Sequence, residues 1–522
     1  SEKIAVIGEK ERELLSSPQR PIVLVPKREG SEVSSLVAPG LRTIGIMLPY
    51  TSLHYLILEG TRDKFLIMTS GNKRGKPMSI SEEQAVKEIG PFVDYFLFHN
   101  REIVSRVDDS VVRFSAGEPL LLRRARGYAP RWIKLPFKLK RPIIAFGADL
   151  QSAGAIGFED KAVLTQYIGD VDDIEIFEDL DKYLNFLVRV YSLNPEEALL
   201  ACDMHPSYLS SKLAALWRER YGSPLIKVQH HHAHAASIMA ERGLNGEHIA
   251  ILIDGVGYGP DGTAWGGEIL LTSYSDFKRV GHLKPLPQPG GDLAVRYPVR
   301  MLIGILSELM EEDELISFVK DRRLERGLRR GLEEARVAYV QSVKGTCPLT
   351  SSAGRFLDAI SAMLGVCLER TYEGEPAIRL EDFSSKGRHL DGIYADILVR
   401  NGEVIIDTVS LMERTLENLD RRPEDVAFST QYALGLALAE AALLKGELKA
   451  SRRVLLGGGA AVNEPLFLGI REVLRGEGIS VIRNREVPPG DGGIALGQIA
   501  IASVSRILMG EVEKAGEHVK IM

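Results

Sequence analysis

Short apolar runs, each closed by a proline, open the chain. Residues 21–25 and 43–48 are continuous apolar stretches, the pattern of buried strands, and a proline follows each. Residues 65–69 read as another strand running into Ser70-Gly71-Asn72. Residues 51–58 read as a short helix with Thr51 or Ser52 as N-cap. Ser81 caps a further helix, with Glu82 and Glu83 in its first turn. The apolar run 95–98 follows, and the second half of residues 105–113 alternates as a strand does. A basic loop, residues 122–130, ends this region, which reads as a small α/β or α+β unit.

After a linker at 132–141 the pattern changes. Residues 142–149 form a strand that meets a Gly/Asp turn, and 152–158 with 162–167 read as a hairpin. Residues 249–255 repeat the opening, with an Asp-Gly turn and a returning strand at 263–271. Two such units, each followed by helical sequence, suggest an internal duplication of the actin/hexokinase-like kind. Helical sequence fills 300–309. The charged stretch 311–340 is expected to be a solvated helical insertion. A Ser-rich cap opens a helix at 350–360, residues 372–377 read as a loop, and 454–463 read as strand, three glycines and helix start.

At 522 residues the chain is too long for one core, and it divides at the linker into units 1–135 and 142–522. Its net charge of −6 gives no electrostatic reason to expect a nucleic-acid partner. Three well-separated cysteines without a CxxC pair fit a cytoplasmic protein without a disulfide framework. No apolar run reaches about 18 residues, so no membrane span is expected. Residues 3–7 already read as an element in progress, so further residues are expected upstream.

Candidate chemistry centres on Gln229-His230-His231-His232-Ala233-His234. The helical-looking run 235–241 follows, so His230 and His234 lie one turn apart on one helix face, where two neutral imidazoles grip one ion. His231 and His232 point elsewhere, toward supporting or substrate-facing roles. Two ligands are too few for a metal site. Asp254, at a strand end beside Gly255, Gly257, Gly259 and Gly262, is one carboxylate placed to complete it. Asp491, at the start of the last helix, is the other, unless it only caps that helix. Two nitrogens and two oxygens suit iron or zinc. The glycines after Asp254 let backbone N–H groups approach a phosphate, though a plain β-turn fits them as well. Ser70-Gly71-Asn72 with Lys73-Arg74 is either a polar turn or an anion-facing loop, and Arg123, Arg124 and Arg126 form a solvated face or a phosphate-facing loop. Cys202, Cys347 and Cys367 lie in no motif that suggests a nucleophile.

Residues 17–24, 48–54, 69–72, 105–113 and 123–130 together resemble the YrdC-like domain of the HypF hydrogenase maturation family. Residues 228–234, 254–268, 288–292, 350–359, 372–375 and 491–498 resemble that family's carbamoyltransferase domain, which is related to TsaD-type tRNA-modifying proteins and antibiotic O-carbamoyltransferases. The chain resembles a C-terminal portion of such a protein, beginning inside the YrdC-like domain. The implied fold is a partial YrdC-like α/β domain followed by an actin/hexokinase-like (ASKHA, TsaD-like) duplicated α/β domain. The implied metal ligands are His230, His234, Asp254 and Asp491, with His230, His234 and Asp254 catalytic. The implied nucleotide contacts are Ser70, Asn72, Arg106, Arg113 and Arg124 in the first unit. In the second they are Gly255, Gly257, Gly354, Asp358, Glu375, Gly458, Gly459 and Asn463. The resemblance implies that carbamoyl phosphate and ATP, with magnesium, give carbamoyl-adenylate. The carbamoyl group then passes to the C-terminal cysteine of a partner, HypE, as precursor of a cyanide ligand. Alternative readings are tRNA threonylcarbamoyl transfer, small-molecule O-carbamoylation, or an ATP-driven actin-like binding module.

Overall fold

Three sheets carry the chain in this computed structural model, which describes residues 2–73, 75–444 and 452–505. Arg74 and residues 506–522 of the second sequence unit lie outside the described residues. The first sheet contains β1 (Ile22–Pro26), β2 (Thr43–Ile46), β3 (Val111–Ser115) and β4 (Glu118–Arg123), in the order β2-β1-β3-β4. Thr51 caps the helix Ser52–Gly60 and Ser81 caps the helix Glu82–Ile89, each through a side-chain oxygen that accepts a first-turn N–H.

Residues 65–69 are not a strand. A strand needs a neighbour to pair its backbone, and no described strand lies beside this one. Leu66, Ile67 and Met68 stay exposed, as do Tyr95 and Leu97.

The second sheet holds β5 (Ile133–Lys134), β6 (Ile143–Ala145), β7 (Ala155–Phe158), β8 (Lys161–Leu164), β9 (Leu199–Asp203) and β10 (Leu225–Val228), ordered β10-β9-β6-β7-β8-β5. The expected linker is therefore not free: Ile133 is buried and pairs with Ala162. The third sheet holds β11 (His248–Tyr258), β12 (Ala264–Thr272), β13 (Phe277–Leu283), β14 (Leu286–Pro287), β15 (Leu349–Thr350), β16 (Asp396–Arg400), β17 (Glu403–Asp407), β18 (Arg453–Gly457) and β19 (Ser480–Ile482). Its main path runs β16-β17-β13-β12-β11-β18-β19.

The duplication shows in the pairing. β6 has antiparallel β7 on one side and parallel β9 on the other. β11 likewise lies between antiparallel β12 and parallel β18. Two helices pack between these sheets, His230–Arg242 and Ile494–Ala502, and both contribute to one apolar core with β6, β11 and β18.

Two helical expectations shift. Stretch 311–340 is no solvated insertion: Leu315, Val319, Ala335 and Ala338 are buried, and Glu334 pairs with buried Arg300. Charges at helical spacing conceal its apolar face. Residues 372–377 are only partly a loop, because Gly374 (φ 69°) turns the chain into the helix Glu375–Ser384. One described helix, Pro423–Leu443, is long and apolar enough to cross a membrane by length and composition, but most of it is buried inside the protein. The first sheet leans on the second unit through Arg113 to Glu381, Arg42 N–H to Asp382, and Ala116 N–H to Glu464.

Candidate metal centre and nucleotide face

Gln229 starts the histidine helix, its Oε1 accepting the His232 N–H at 2.8 Å. With the helix begun there, His230 and His234 lie one turn apart, edge to face with ring centroids 4.9 Å from each other, and both are buried. Asp254 lies on β11, just after the last apolar residue of its buried core. Its Oδ2 lies 3.2 Å from His230 Nε2 and 3.1 Å from His234 Nε2. Its Oδ1 accepts the N–H groups of Gly255 and Gly459, which fixes the carboxylate plane. Asp491 opens the turn before the last helix. Its Oδ1 lies 3.6 Å from His230 Nε2 and 3.7 Å from His234 Nε2.

One ligand atom from each of the four residues falls within 4.8 Å of the others. Four ligands about 2.1 Å from one tetrahedral ion stand about 3.4 Å apart, and about 3.0 Å for neighbouring octahedral positions. The carboxylate–imidazole separations of 3.1–3.7 Å match this spacing. The donor set fits a metal ion.

The electrostatics point the same way. Burial disfavours a charged His230, but the Asp491 and Asp203 carboxylates outweigh it and raise its proton affinity well above the usual imidazole value. Burial also works against the Asp254 anion, yet hydrogen bonds from His230 and His234 hold its carboxyl well below the usual range. Asp491 is pushed up by burial and by the Asp254 charge, with His230 opposing. The pocket concentrates negative charge that a cation would neutralise.

Two residues here escaped the sequence reading. Asp203, at the end of β9, accepts from His230 Nδ1 at 2.7 Å. Such a carboxylate fixes the ring's tautomer and turns Nε2 toward the centre. Its signal was present: 199–203 is an apolar run ending in Asp, as 249–254 is. Asp203→Asn is expected to weaken metal affinity on the order of tenfold with the fold kept. A chelator-competition titration checks this, and an unchanged affinity removes the role. The second residue is Arg355, buried beside Gly255.

The other histidines have separate tasks. His232 Nε2 bonds the Ser273 carbonyl. His231 packs so closely on Gly257 that a Cβ there would lie 2.5 Å from its ring. Burial and neighbouring His230 keep His231 neutral.

Glycines crowd around Asp254. Gly458 has φ 95°, and a Cβ on it would meet the Ile253 carbonyl at 2.3 Å. A Cβ on Gly354 would lie 3.0 Å from Gly255 Cα. Gly255, Gly257, Gly354, Gly458 and Gly459 thus meet around the centre, and bare backbone lines it. Asp358 pairs with Arg355 on the helix Ala353–Met363. Burial pushes its carboxyl up, against Arg355 and Arg370. Glu375 accepts the Thr371 N–H. Asn463 caps the helix Glu464–Gly476 and donates to Gln431.

The first-unit candidates lie on other elements. Ser70 is in an exposed turn, and Asn72 bonds the Lys73 and Lys76 carbonyls there. Arg106 bonds Asp179, Glu175 and the Met78 carbonyl. Arg113 engages Glu381, and Arg124 bonds the carbonyls of Tyr128, Arg131 and Glu486. Burial lowers the Arg124 guanidinium to about 10.

Comparison with known proteins places these elements among relatives. Residues 250–498 match the model of the carbamoyltransferase Kae1-like domain, second subdomain, and residues 138–241 match the HypF Kae1-like domain. Residues 2–125 match the Sua5/YciO/YrdC model, described as telomere recombination. The probable carbamoyltransferase HypF of Methanocaldococcus jannaschii is 37% identical over 95% of this chain, and the chain spans 64% of that relative's length. The crystal structure of T. kodakarensis HypF superposes with a TM-score of 0.90 at 37% identity, over 98% of this chain and 66% of that one. Full-length HypF in its phosphate- and nucleotide-bound form gives a TM-score of 0.86 at 33% identity, over 98% of this chain and 78% of that one.

Proposed function

Because the chain belongs to the HypF carbamoyltransferase family, we propose that it passes a carbamoyl group from carbamoyl-adenylate to the C-terminal cysteine of HypE. The product thiocarbamate would be the precursor of the cyanide ligand in [NiFe]-hydrogenase maturation. The observation that carries this reading is the His230/His234/Asp254/Asp491 centre, bordered by the glycines at 255, 257, 354, 458 and 459. In this reading residues 1–135 form the YrdC-like unit, where carbamoyl phosphate and ATP with magnesium meet. Residues 142–522 form the transfer unit.

Iron or zinc held by the four ligands would supply Lewis-acid stabilisation of the adenylate's phosphate. The remaining work falls to the chain's own groups. Asp203 holds His230 in the tautomer that leaves Nε2 facing the centre. Gly255 and Gly459 keep Asp254 oriented and leave room for a phosphate where any side chain would intrude. Burial of the centre excludes water from a hydrolysable mixed anhydride.

In this reading the acceptor thiolate comes from outside the chain. Cys202 and Cys367 are buried free thiols, each pushed up to about 11 by burial, and are poor nucleophiles near neutral pH. Unpaired, buried thiols also support a cytoplasmic setting.

Incubation with carbamoyl phosphate, ATP and HypE is expected to add one carbamoyl-sized mass to the HypE C-terminal peptide. A HypE variant lacking its terminal cysteine should stay unmodified. If full-length HypF modifies HypE and this chain does not, even when mixed with the full-length protein's adenylating unit, the transfer reading is lost.

A further inference from the structure

Arg355 is buried, 6% exposed, yet its Nε and Nη1 have no hydrogen-bond acceptor. Its close charge is Asp358, with Nη1 2.6 Å from Oδ2 in a contact not aligned as a hydrogen bond. Asp358 Oδ2 likewise has no hydrogen-bond donor. Nη1 thus faces only the Asp358 carboxylate and the desolvated Nε faces no acceptor, and a buried guanidinium donor left unused points to a ligand.

The surroundings say which ligand. Ser352 Oγ caps the helix by accepting the Arg355 N–H, and it also bonds the Gly255 carbonyl at 2.5 Å. This ties the arginine to the glycine turn after Asp254. Arg355 Nη2 lies 3.2 Å from where a Cβ on Gly255 would stand, so the missing side chain leaves space in front of the guanidinium. One turn further along the helix is the Asp358 carboxylate. Planar guanidinium donors facing such a space are the complement of a phosphate.

We propose that Arg355 is a catalytic residue of the transfer site, donating hydrogen bonds to the phosphate of the bound adenylate while Asp358, already an expected nucleotide contact, holds its guanidinium in place. This rests on the transfer reading given above. In the step, the acceptor thiolate forms a C–S bond to the carbamoyl carbon. The bond from that carbon to the bridging phosphate oxygen breaks, and its electron pair stays on the oxygen. No proton moves. The phosphate goes from one negative charge to two, so a fixed guanidinium beside it favours the departing AMP over the bound reactant.

The test compares AMP with adenosine, titrated calorimetrically into the full chain and into Arg355→Gln and Arg355→Lys. Arg355→Gln is expected to weaken AMP on the order of ten- to a hundredfold and adenosine less than about twofold. Arg355→Lys should recover part of the loss by restoring the charge without the fork. Parallel weakening of both ligands would show a purely structural arginine and overturn the proposal. So would an unchanged AMP affinity in Arg355→Gln when the wild type prefers AMP to adenosine, and that result leaves the transfer reading standing. A wild type with no preference for AMP removes the nucleotide reading of this site and the proposal with it.

Discussion

Asp491→Ala is expected to lose metal binding and carbamoyl transfer together, while its far-ultraviolet circular dichroism stays at that of the wild type and its melting temperature matches that of the metal-free wild type. The expectation follows from the charge around the histidines. Asp203, Asp254 and Asp491 face two buried imidazoles. Removing Asp491 takes away one ligand and relieves carboxylate repulsion, so the metal-free fold has no reason to weaken. His230→Ala should lose metal and transfer as fully, at a cost to stability. It leaves the buried Asp203 Oδ2 without its 2.7 Å partner, and stranding a buried charge costs about 3–5 kcal/mol. Elemental analysis of both purified variants decides the matter. One equivalent of metal retained by Asp491→Ala would end the ligand assignment.

The second large effect is expected at Gly497, which is itself no ligand. A Cβ there would stand 1.9 Å from the Ala233 carbonyl oxygen, backbone against backbone. Ala233 lies between His232 and His234 on the histidine helix, and Gly497 lies on the helix that Asp491 introduces. Gly497→Val must push these helices apart by about 1 Å or more to restore ordinary contact. Overpacking of this kind costs about 1–3 kcal/mol, and more where backbone must move. The same displacement draws Asp491 away from His234, so metal affinity should fall along with the melting temperature. Gly476→Ala, where an added Cβ meets open space, is the control. Wild-type melting and metal binding in Gly497→Val would show that the two helices are not rigidly registered.

How much of this was legible in the sequence depended on whether the signal was local. The i, i+4 spacing of His230 and His234 and the strand-end position of Asp254 need only a few residues to read, and the structure brings those donors and Asp491 together. The duplication was legible because each lobe opens with the same strand–turn–strand order. Residues 65–69 misled, since an apolar run states a preference and a neighbouring strand must realise it. The stretch 311–340 misled for the opposite reason: its buried stripe lies under charges that dominate composition. Glu375 was missed as a helix start because the signal was a glycine, Gly374, at an N-cap rather than a Ser or Asp. Asp203 had a strand-end signal but no readable role, and Arg355 had neither. One depends on which ring nitrogen it faces, the other on a space left by a glycine a hundred positions earlier.

The two lobes share their strand pattern but not the use of their turn carboxylates. Asp149, after β6, accepts the Leu209 and Ser210 N–H groups and the Ser210 hydroxyl, so it closes the first turn of the helix Leu209–Tyr221. Asp254, after the matching strand of the second lobe, meets the histidines instead. Among the described residues the repeated architecture therefore gives one such ligand cluster, so the expected stoichiometry is one ion per polypeptide. Titrations of this protein should be counted by chains, not by lobes.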